Sequence, residues 1–265
     1  NQNDLVGRFF MEHLHFWSGM FIPFGNQMIN RTAIYNEIQW VNDVPVIAKL
    51  ALSEAVMRKE GLINHNVQLI PRWVRRSSLY AHLHPDFSTD APAGLKPLLS
   101  TVRRGLFKAG KLIDRRTALC YVIANMTEQV PNPESRISLG PERDALGLPR
   151  LKLNWQVTRQ DVENAVRVQQ ILAGEIERSQ LGRFIIQMAD DTVPPGLHGG
   201  YHHMGTTRMS ADPKKGVVDP DGRVHGIFNL FVAGPSVFPT GGHANPVLTI
   251  VALTLRLAEH IGTHF

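Results

Sequence analysis

The chain has 265 residues, of which 43% are hydrophobic and 19% charged, the balance of a globular protein with a substantial core; disordered and fibrous classes are excluded. Its formal charge is +5, yet Arg and Lys are dispersed, the densest spot being Arg72-Trp73-Val74-Arg75-Arg76, which argues against a nucleic-acid partner and fits a surface that attracts an anionic cofactor or a partner chain. One cysteine, Cys120, excludes an intrachain disulfide framework, and no apolar run reaches the roughly 18 residues of a membrane-spanning helix.

The start, Asn1-Gln2-Asn3-Asp4, has neither an initiating Met nor a signal-peptide layout, as expected of a chain whose beginning lies elsewhere. Aromatic residues from Phe9 to Trp40, alternating in places with polar ones, predict short strands and loops over residues 1–44. Apolar positions at Ile47, Leu50, Ala51, Ala55 and Val56 have helical spacing and predict an amphipathic helix over 46–59. Gly and Pro punctuate residues 61–97, and a basic helical stretch follows at about 96–112, so this middle region reads as an insertion or lid.

Strands are expected at 117–127, 135–139 and 150–157, separated by Pro131, Pro133, Gly140, Pro141, Gly147 and Pro149, and together they suggest an antiparallel sheet. Cys120 lies in the apolar run Ala118 to Ile123, as in a buried strand. Thr158 opens a helix to about Arg178, with Asp161 placed to return the bond in a capping-box variant. Composition shifts to turn-forming residues at Asp190-Asp191-Thr192-Val193-Pro194-Pro195-Gly196. The residues that carry chemistry follow.

Gly200-Tyr201-His202-His203-Met204-Gly205 sets two imidazoles beside a small-residue turn. Such a pair serves as a general base, a packed core feature or a metal site, and the last is disfavoured because no carboxylate or thiolate stands nearby at ligand spacing. Asp219-Pro220-Asp221-Gly222 between valine-bearing segments predicts a hairpin. Asn229 to Val232 predicts a short strand ending at Gly234-Pro235, and ligands of open α/β sheets bind where such strands end. Asn245 is expected at the N-cap and Pro246 at the first position of a helix reaching about Ile261. Asn245 is then either a cap and nothing more, or part of a site at a helix N-terminus, where free N–H groups and the helix dipole favour an anion. No Gly-x-Gly-x-x-Gly or Walker-type loop is present.

The C-terminal blocks resemble the signature of the glucose-methanol-choline (GMC) oxidoreductases: His202-x-x-Gly205-Thr206-x-Arg208-Met209; Val218-Asp219 with Arg223-Val224-His225-Gly226; Asn229-Leu230 through Ser236-Val237-Phe238-Pro239; and Asn245-Pro246-x-x-Thr249. Asn3-Asp4-x-Val6-Gly7-Arg8-Phe9-Phe10-Met11-Glu12-His13 resembles the segment that follows the first FAD-binding half, and Glu128 to Arg136 resembles a strand-turn of the substrate-domain sheet. The His-His-Met-Gly-Thr-Thr-Arg-Met and Gly-Gly-His-Ala-Asn-Pro wording is most similar to the sugar-oxidising branch, with pyranose oxidases, glycoside 3-oxidases and fructose dehydrogenase-like proteins.

The resemblance implies an α+β fold, an antiparallel-sheet substrate domain plus the final part of an α/β FAD-binding domain, divided as 1–15 adjoining the FAD domain, 16–189 substrate domain with its lid, and 190–265 carrying the catalytic pair. It implies FAD as cofactor and oxidation of a CH–OH group of a sugar or glycoside. His202 would accept the alcohol proton as hydride leaves for flavin N5, and Asn245 would hydrogen-bond the same oxygen. Gly234, Pro235, Asn245, Pro246 and Thr249 would contact the flavin, whose pyrimidine edge, anionic when reduced, suits the helix N-terminus.

His203 is expected to pack or make a supporting bond, with a swap of roles with His202 open. His243 either faces substrate or is a loop histidine. The N-terminal Rossmann half, with its phosphate loop, is expected on a separate chain or a missing segment. The electron acceptor stays open among oxygen, quinone and cytochrome, and no metal is expected. The alternative is a non-catalytic structural or regulatory subunit that keeps the fold without its own flavin.

Overall fold

The structure, a computed structural model, describes residues 1–24, 33–75, 117–188 and 192–264. In chain order it contains β1 (Leu14–Pro23), α1 (Ala33–Asn36), β2 (Gln39–Val41), β3 (Val44–Val46), β4 (Leu50–Ala51), α2 (Glu54–Glu60), β5 (His65–Arg75), β6 (Thr117–Thr127), β7 (Arg136–Arg143), β8 (Pro149–Asn154), α3 (Arg159–Arg178), β9 (Gly182–Ile186), β10 (His198–Gly199), a 3₁₀ turn (Pro235–Val237) and α4 (Val247–His264). The basic helical stretch expected near 96–112 and most of the lid-like middle lie outside the described residues.

The architecture is α+β. Its centre is an antiparallel sheet in the order β10-β1-β6-β5-β4, with β9 also paired to β1. β6 occupies the middle because its run Ala118 to Ile123 is apolar almost throughout; Cys120 and Ile123 are fully buried. Burial pushes the Cys120 thiol up to about 11, so it is an inert core group. Val67, Leu69, Tyr121, Ile123, Phe21 and Phe184 form the core on one face, closed by Ile176 of α3.

The start of α3 follows the sequence closely. Thr158 accepts from the Asp161 N–H while the Asp161 carboxylate accepts from the Thr158 N–H at 2.7 Å, a reciprocal capping box. Val162, Ala165, Val166 and Val168 are buried as their spacing requires. Gln169, on the same helix, is also fully buried, because it joins a polar network under the sheet: Ser18 Oγ donates to Gln169 Oε1 at 2.7 Å, and Gln169 Nε2 and His65 Nε2 both donate to Asn125 Oδ1, at 2.8 and 2.9 Å.

Since Asn125 Oδ1 only accepts, His65 is neutral with its proton on Nε2, and its buried Nδ1 has no partner among the described residues. Burial, ahead of all other influences, lowers the His65 pKa from 6.5 to about 4. Between these values the unfolded chain binds a proton that the folded chain refuses, so stability falls as pH drops through this window. Urea midpoints should therefore decline from neutral pH toward acid, less steeply in His65→Gln, which keeps a donor but cannot titrate; equal slopes would contradict the assignment. His15, lowered to about 4, and His13, lowered first by burial, contribute to the slope that remains.

Several elements differ from expectation. The helix expected over 46–59 is only α2: Val44–Val46 pairs with Gln39–Val41, Leu50 and Ala51 pair with Val67 and Asn66, and Ser53 Oγ, accepting from the Val56 N–H, starts the helix at Glu54. Strand pairing thus claimed apolar positions whose short-range spacing also fits a helix. β5 falls in a region read as punctuated loop; Pro71 sits within it, beyond the β4 pairing and on the edge where no ladder N–H is required. The three strands expected in one sheet are divided, β6 joining the central sheet while β7 and β8 form a separate hairpin.

No helix among the described residues is long and apolar enough to cross a membrane.

Candidate active site

Residues 1–13 do not belong to the central sheet; they run against the C-terminal segment. Met11 and Met204 exchange backbone hydrogen bonds at 3.0 Å in both directions, and the Gly7 N–H donates to the Thr206 carbonyl at 2.8 Å. Met11, Met204, Val217, Val218, Val237 and Phe238 form a second buried cluster. Gly205 is dictated here: it has φ +89°, and a Cβ would lie 2.1 Å from the Phe9 carbonyl oxygen. The Arg208 guanidinium closes the same turn, 4.3 Å above the Phe9 ring.

This apposition delivers Glu12 and His13 to His202. Glu12, 4% exposed, accepts from the N–H groups of His202 at 2.8 Å and Gly200 at 3.1 Å through Oε2, and its Oε1 lies 3.1 Å from His203 Nε2. His13 is fully buried, its Nδ1 2.8 Å from His202 Nδ1 and its Nε2 3.0 Å from the Gly242 carbonyl, with the Gly241 carbonyl at 3.4 Å. The two rings meet edge to face. His15, two residues on and so on the same side of the chain, presses Nε2 to within 2.5 Å of where a Cβ at residue 200 would stand, so a side chain there would have to displace the His15 ring. Burial is the first cause lowering the pKa of both His13 and His15, with neighbouring imidazoles next, so both rings are neutral at physiological pH.

A second carboxylate holds the other loop. Glu128, 5% exposed, accepts from the Gly242 N–H at 2.9 Å and from Asn64 Nδ2 at 2.7 Å. His243 is tied to the entry of β5: its Nδ1 lies 3.4 Å from Asn64 Oδ1 and its carbonyl accepts from Asn66 Nδ2 at 2.6 Å. The His202 and Gly241–Asn245 loops therefore converge on His13, each set by a buried glutamate.

Of the residues singled out in the sequence, His202 is half-buried, with Nε2 free of hydrogen bonds among the described residues. His203 is 65% exposed and takes the supporting position, between Glu12 and the Phe10 ring, whose centroid is 5.4 Å away. Asn245 is exposed and makes no side-chain hydrogen bond among the described residues, neither to His202 nor as a cap; α4 begins at Val247, and Pro246, buried, accepts the first helical bond from Ile250. Gly234 has φ +109° with open space at its Cβ position, and precedes the Pro235–Val237 turn that the Thr207 and Met209 N–H groups stitch to residues 205–209. Thr249 is exposed on α4, which buries none of its residues and presents Val247, Leu248, Val251 and Leu255 outward.

The Asp219 turn forms, with the Asp219 N–H donating to the Arg223 carbonyl at 2.8 Å, but its flanks meet only in single bridges. The strand expected from Asn229 likewise reduces to one bridge, Arg223 to Phe231, since it has no ladder neighbour among the described residues. Among those residues no three His, Cys, Asp or Glu groups converge as for a metal ion. Sequence reasoning missed Glu12, His13 and Glu128 as site residues; for His13 the local signal was an imidazole set close behind the apolar run Phe9 to Met11 and directly before Leu14.

Residues 131–254 match the family described as GMC oxidoreductase, and over that part the chain is similar to its members. Proteins of this family are FAD-dependent flavoproteins. The chain is 36% identical over 122 residues to a C-glycoside 3-oxidase of Arthrobacter globiformis, an alignment covering 44% of this chain and 22% of that protein. It is 33% identical over 155 residues to the fructose dehydrogenase large subunit of Gluconobacter japonicus (58% and 27%). Over 131 residues it is 30% identical to a pyranose 2-oxidase of Tricholoma matsutake (49% and 22%). The chain thus spans about a quarter of the length of these relatives.

Proposed function

We propose that the chain forms the substrate-facing and flavin-facing part of an enzyme that oxidises a CH–OH group of a sugar or glycoside. The observation that carries this reading is His202, whose Nε2 is unengaged among the described residues while its backbone and Nδ1 are fixed by Glu12 and His13. FAD, when bound, supplies the hydride acceptor. His202 Nε2 takes the carbinol proton, and a neutral imidazole held in place is the usual group for that step. Asn245, exposed and without a side-chain hydrogen bond among the described residues, is available to donate to the same oxygen without competing for the proton.

The residues at the C-terminal end suit the flavin. Gly234 and Gly242 leave open backbone where a flat ring can approach, and the start of α4 offers exposed Val247 and Leu248 beside the free N–H groups of its first turn. On this reading Gly234, Pro235, Asn245, Pro246 and Thr249 contact the isoalloxazine, and His243 stands at the rim of the substrate space. The dinucleotide end is assigned to a Rossmann half on another chain or segment, since no phosphate-cradling glycine loop occurs in these residues. On this reading residues 1–15 and 190–265 are assigned to the flavin-side unit and 16–189 to the substrate unit, while β1 and the buried cluster of Leu14, Phe16 and Ala165 run across the boundary between them.

The direct test is anaerobic mixing of the flavin-loaded protein with a panel of sugars, glycosides and simple alcohols, followed at the flavin absorbance. Bleaching by sugars in preference to simple alcohols is expected. A protein that takes up no flavin with every partner chain present, or whose flavin no carbinol bleaches, would be the non-catalytic subunit instead.

A further inference from the structure

We infer that His13 is a positioning residue that fixes the tautomer of His202, leaving its Nε2 without a proton and so ready to act as the base. The inference rests on the proposed role of His202 and goes beyond it. It follows from which groups can only accept. Gly242 and Gly241 meet His13 Nε2 with carbonyl oxygens, at 3.0 and 3.4 Å, so that nitrogen carries a hydrogen and donates. His13 has no exposed surface and is held neutral, burial being the first cause and the His202 charge the second. A neutral ring protonated at Nε2 has a bare Nδ1.

That bare Nδ1 faces His202 Nδ1 at 2.8 Å, and one of the two must hold the hydrogen. It is therefore His202 Nδ1 that donates, and a neutral His202 then has an unprotonated Nε2. The direction matters because a free histidine side chain prefers the opposite form, with hydrogen on Nε2, in which the outward nitrogen cannot accept a proton. The chain Gly242 C=O, His13, His202 overrides that preference. It couples the two loops as well: the Glu128 carboxylate fixes Gly242 through its N–H, so the carbonyl that orients His13 is itself held.

The charged and titratable groups around the pair are consistent with this assignment. Glu12 accepts from the His202 backbone N–H, not from either ring, and the His15 and His198 rings lie tilted against each other at a centroid distance of 5.6 Å without a hydrogen bond to His13 or His202. When His202 gains the substrate proton its Nδ1–H still donates to His13, so the same bond favours the product cation. His13, the more buried ring, keeps its own single proton.

The test is ¹⁵N NMR of the flavin-loaded protein with labelled histidine at mildly alkaline pH, with the His202 signals identified by their loss in His202→Asn. Nδ1 protonated and Nε2 unprotonated is the expected result; the reverse would overturn the inference, whatever the turnover. Two variants separate the contacts. His13→Asn keeps an oxygen acceptor near the Nδ1 position and should retain the His202 tautomer. His13→Gln keeps a donor toward Gly242 but loses that acceptor, and should move the His202 proton to Nε2 and lower kcat about tenfold or more with KM little changed. Retention of the wild-type tautomer in His13→Gln would also overturn the inference. These readings differ from failure of the base assignment, which would appear as normal turnover in His202→Ala with the tautomer as inferred.

Discussion

Replacing His202 by alanine should lower the rate of flavin reduction by substrate roughly 10²- to 10⁴-fold while the flavin remains bound, the range over which a positioned general base contributes. Among the described residues the ring's Nε2 is unengaged and its one side-chain hydrogen bond is to His13, so truncation removes no hydrogen bond within them beyond that one. Flavin content should therefore be close to wild type, and the loss should be concentrated in kcat rather than KM. Stopped-flow reduction under anaerobic conditions reads the rate, and flavin absorbance reads the content. A variant with unchanged reduction would remove His202 from the chemistry.

Glu12→Ala should be the most damaging change outside that ring. Its buried carboxylate accepts from the N–H groups of Gly200 and His202, and truncation leaves both donors without that partner in a partly enclosed site. Hydrogen bonds to a charged group contribute about 1.5–3 kcal/mol each, so a stability loss of about 3 kcal/mol is expected in urea unfolding. Catalysis should fall as well, because the His202 backbone is released. Glu12→Gln provides the contrast: both amides meet Oε2, and a glutamine oxygen there can still accept from them, so stability should largely return. Combined with His202→Ala, Glu12→Ala should cause little further loss of rate, since both act through one ring. Full additivity would mean that Glu12 serves catalysis by another route.

How much of this was legible in the sequence depends on how local the cause was. α3 was legible because its start is written in four residues, Thr158 to Asp161, and its buried face in the spacing that follows. β6 was legible from its unbroken apolar run. β5 was not, since Pro71 and the polar His65-Asn66 pair disguise a strand whose pairing is settled by β6, about 50 residues away. The helix expected from Val46 failed for a related reason: strand partners elsewhere in the chain competed for the same apolar residues.

The site divides in the same way. His202 and the Gly205 turn form a compact pattern that local reading can find. His13 lies 189 residues from His202, and its role exists only because the Met11 and Met204 backbones pair. Glu12 and Glu128 look like ordinary surface acids in the sequence; only their burial and the loop N–H groups they accept mark them as supports. Asn245, read either as a helix cap or as a site residue, does not cap: it stands before the helix with its side chain uncommitted among the described residues.

The proposed chemistry requires that a C–H bond of the substrate carbinol break as the flavin is reduced. The most direct measurement is anaerobic stopped-flow reduction of the flavin-loaded protein by a pyranose, compared with the same sugar deuterated at the reacting carbon. Bleaching that deuterium slows several-fold is the predicted result; flavin that no sugar reduces would contradict the account.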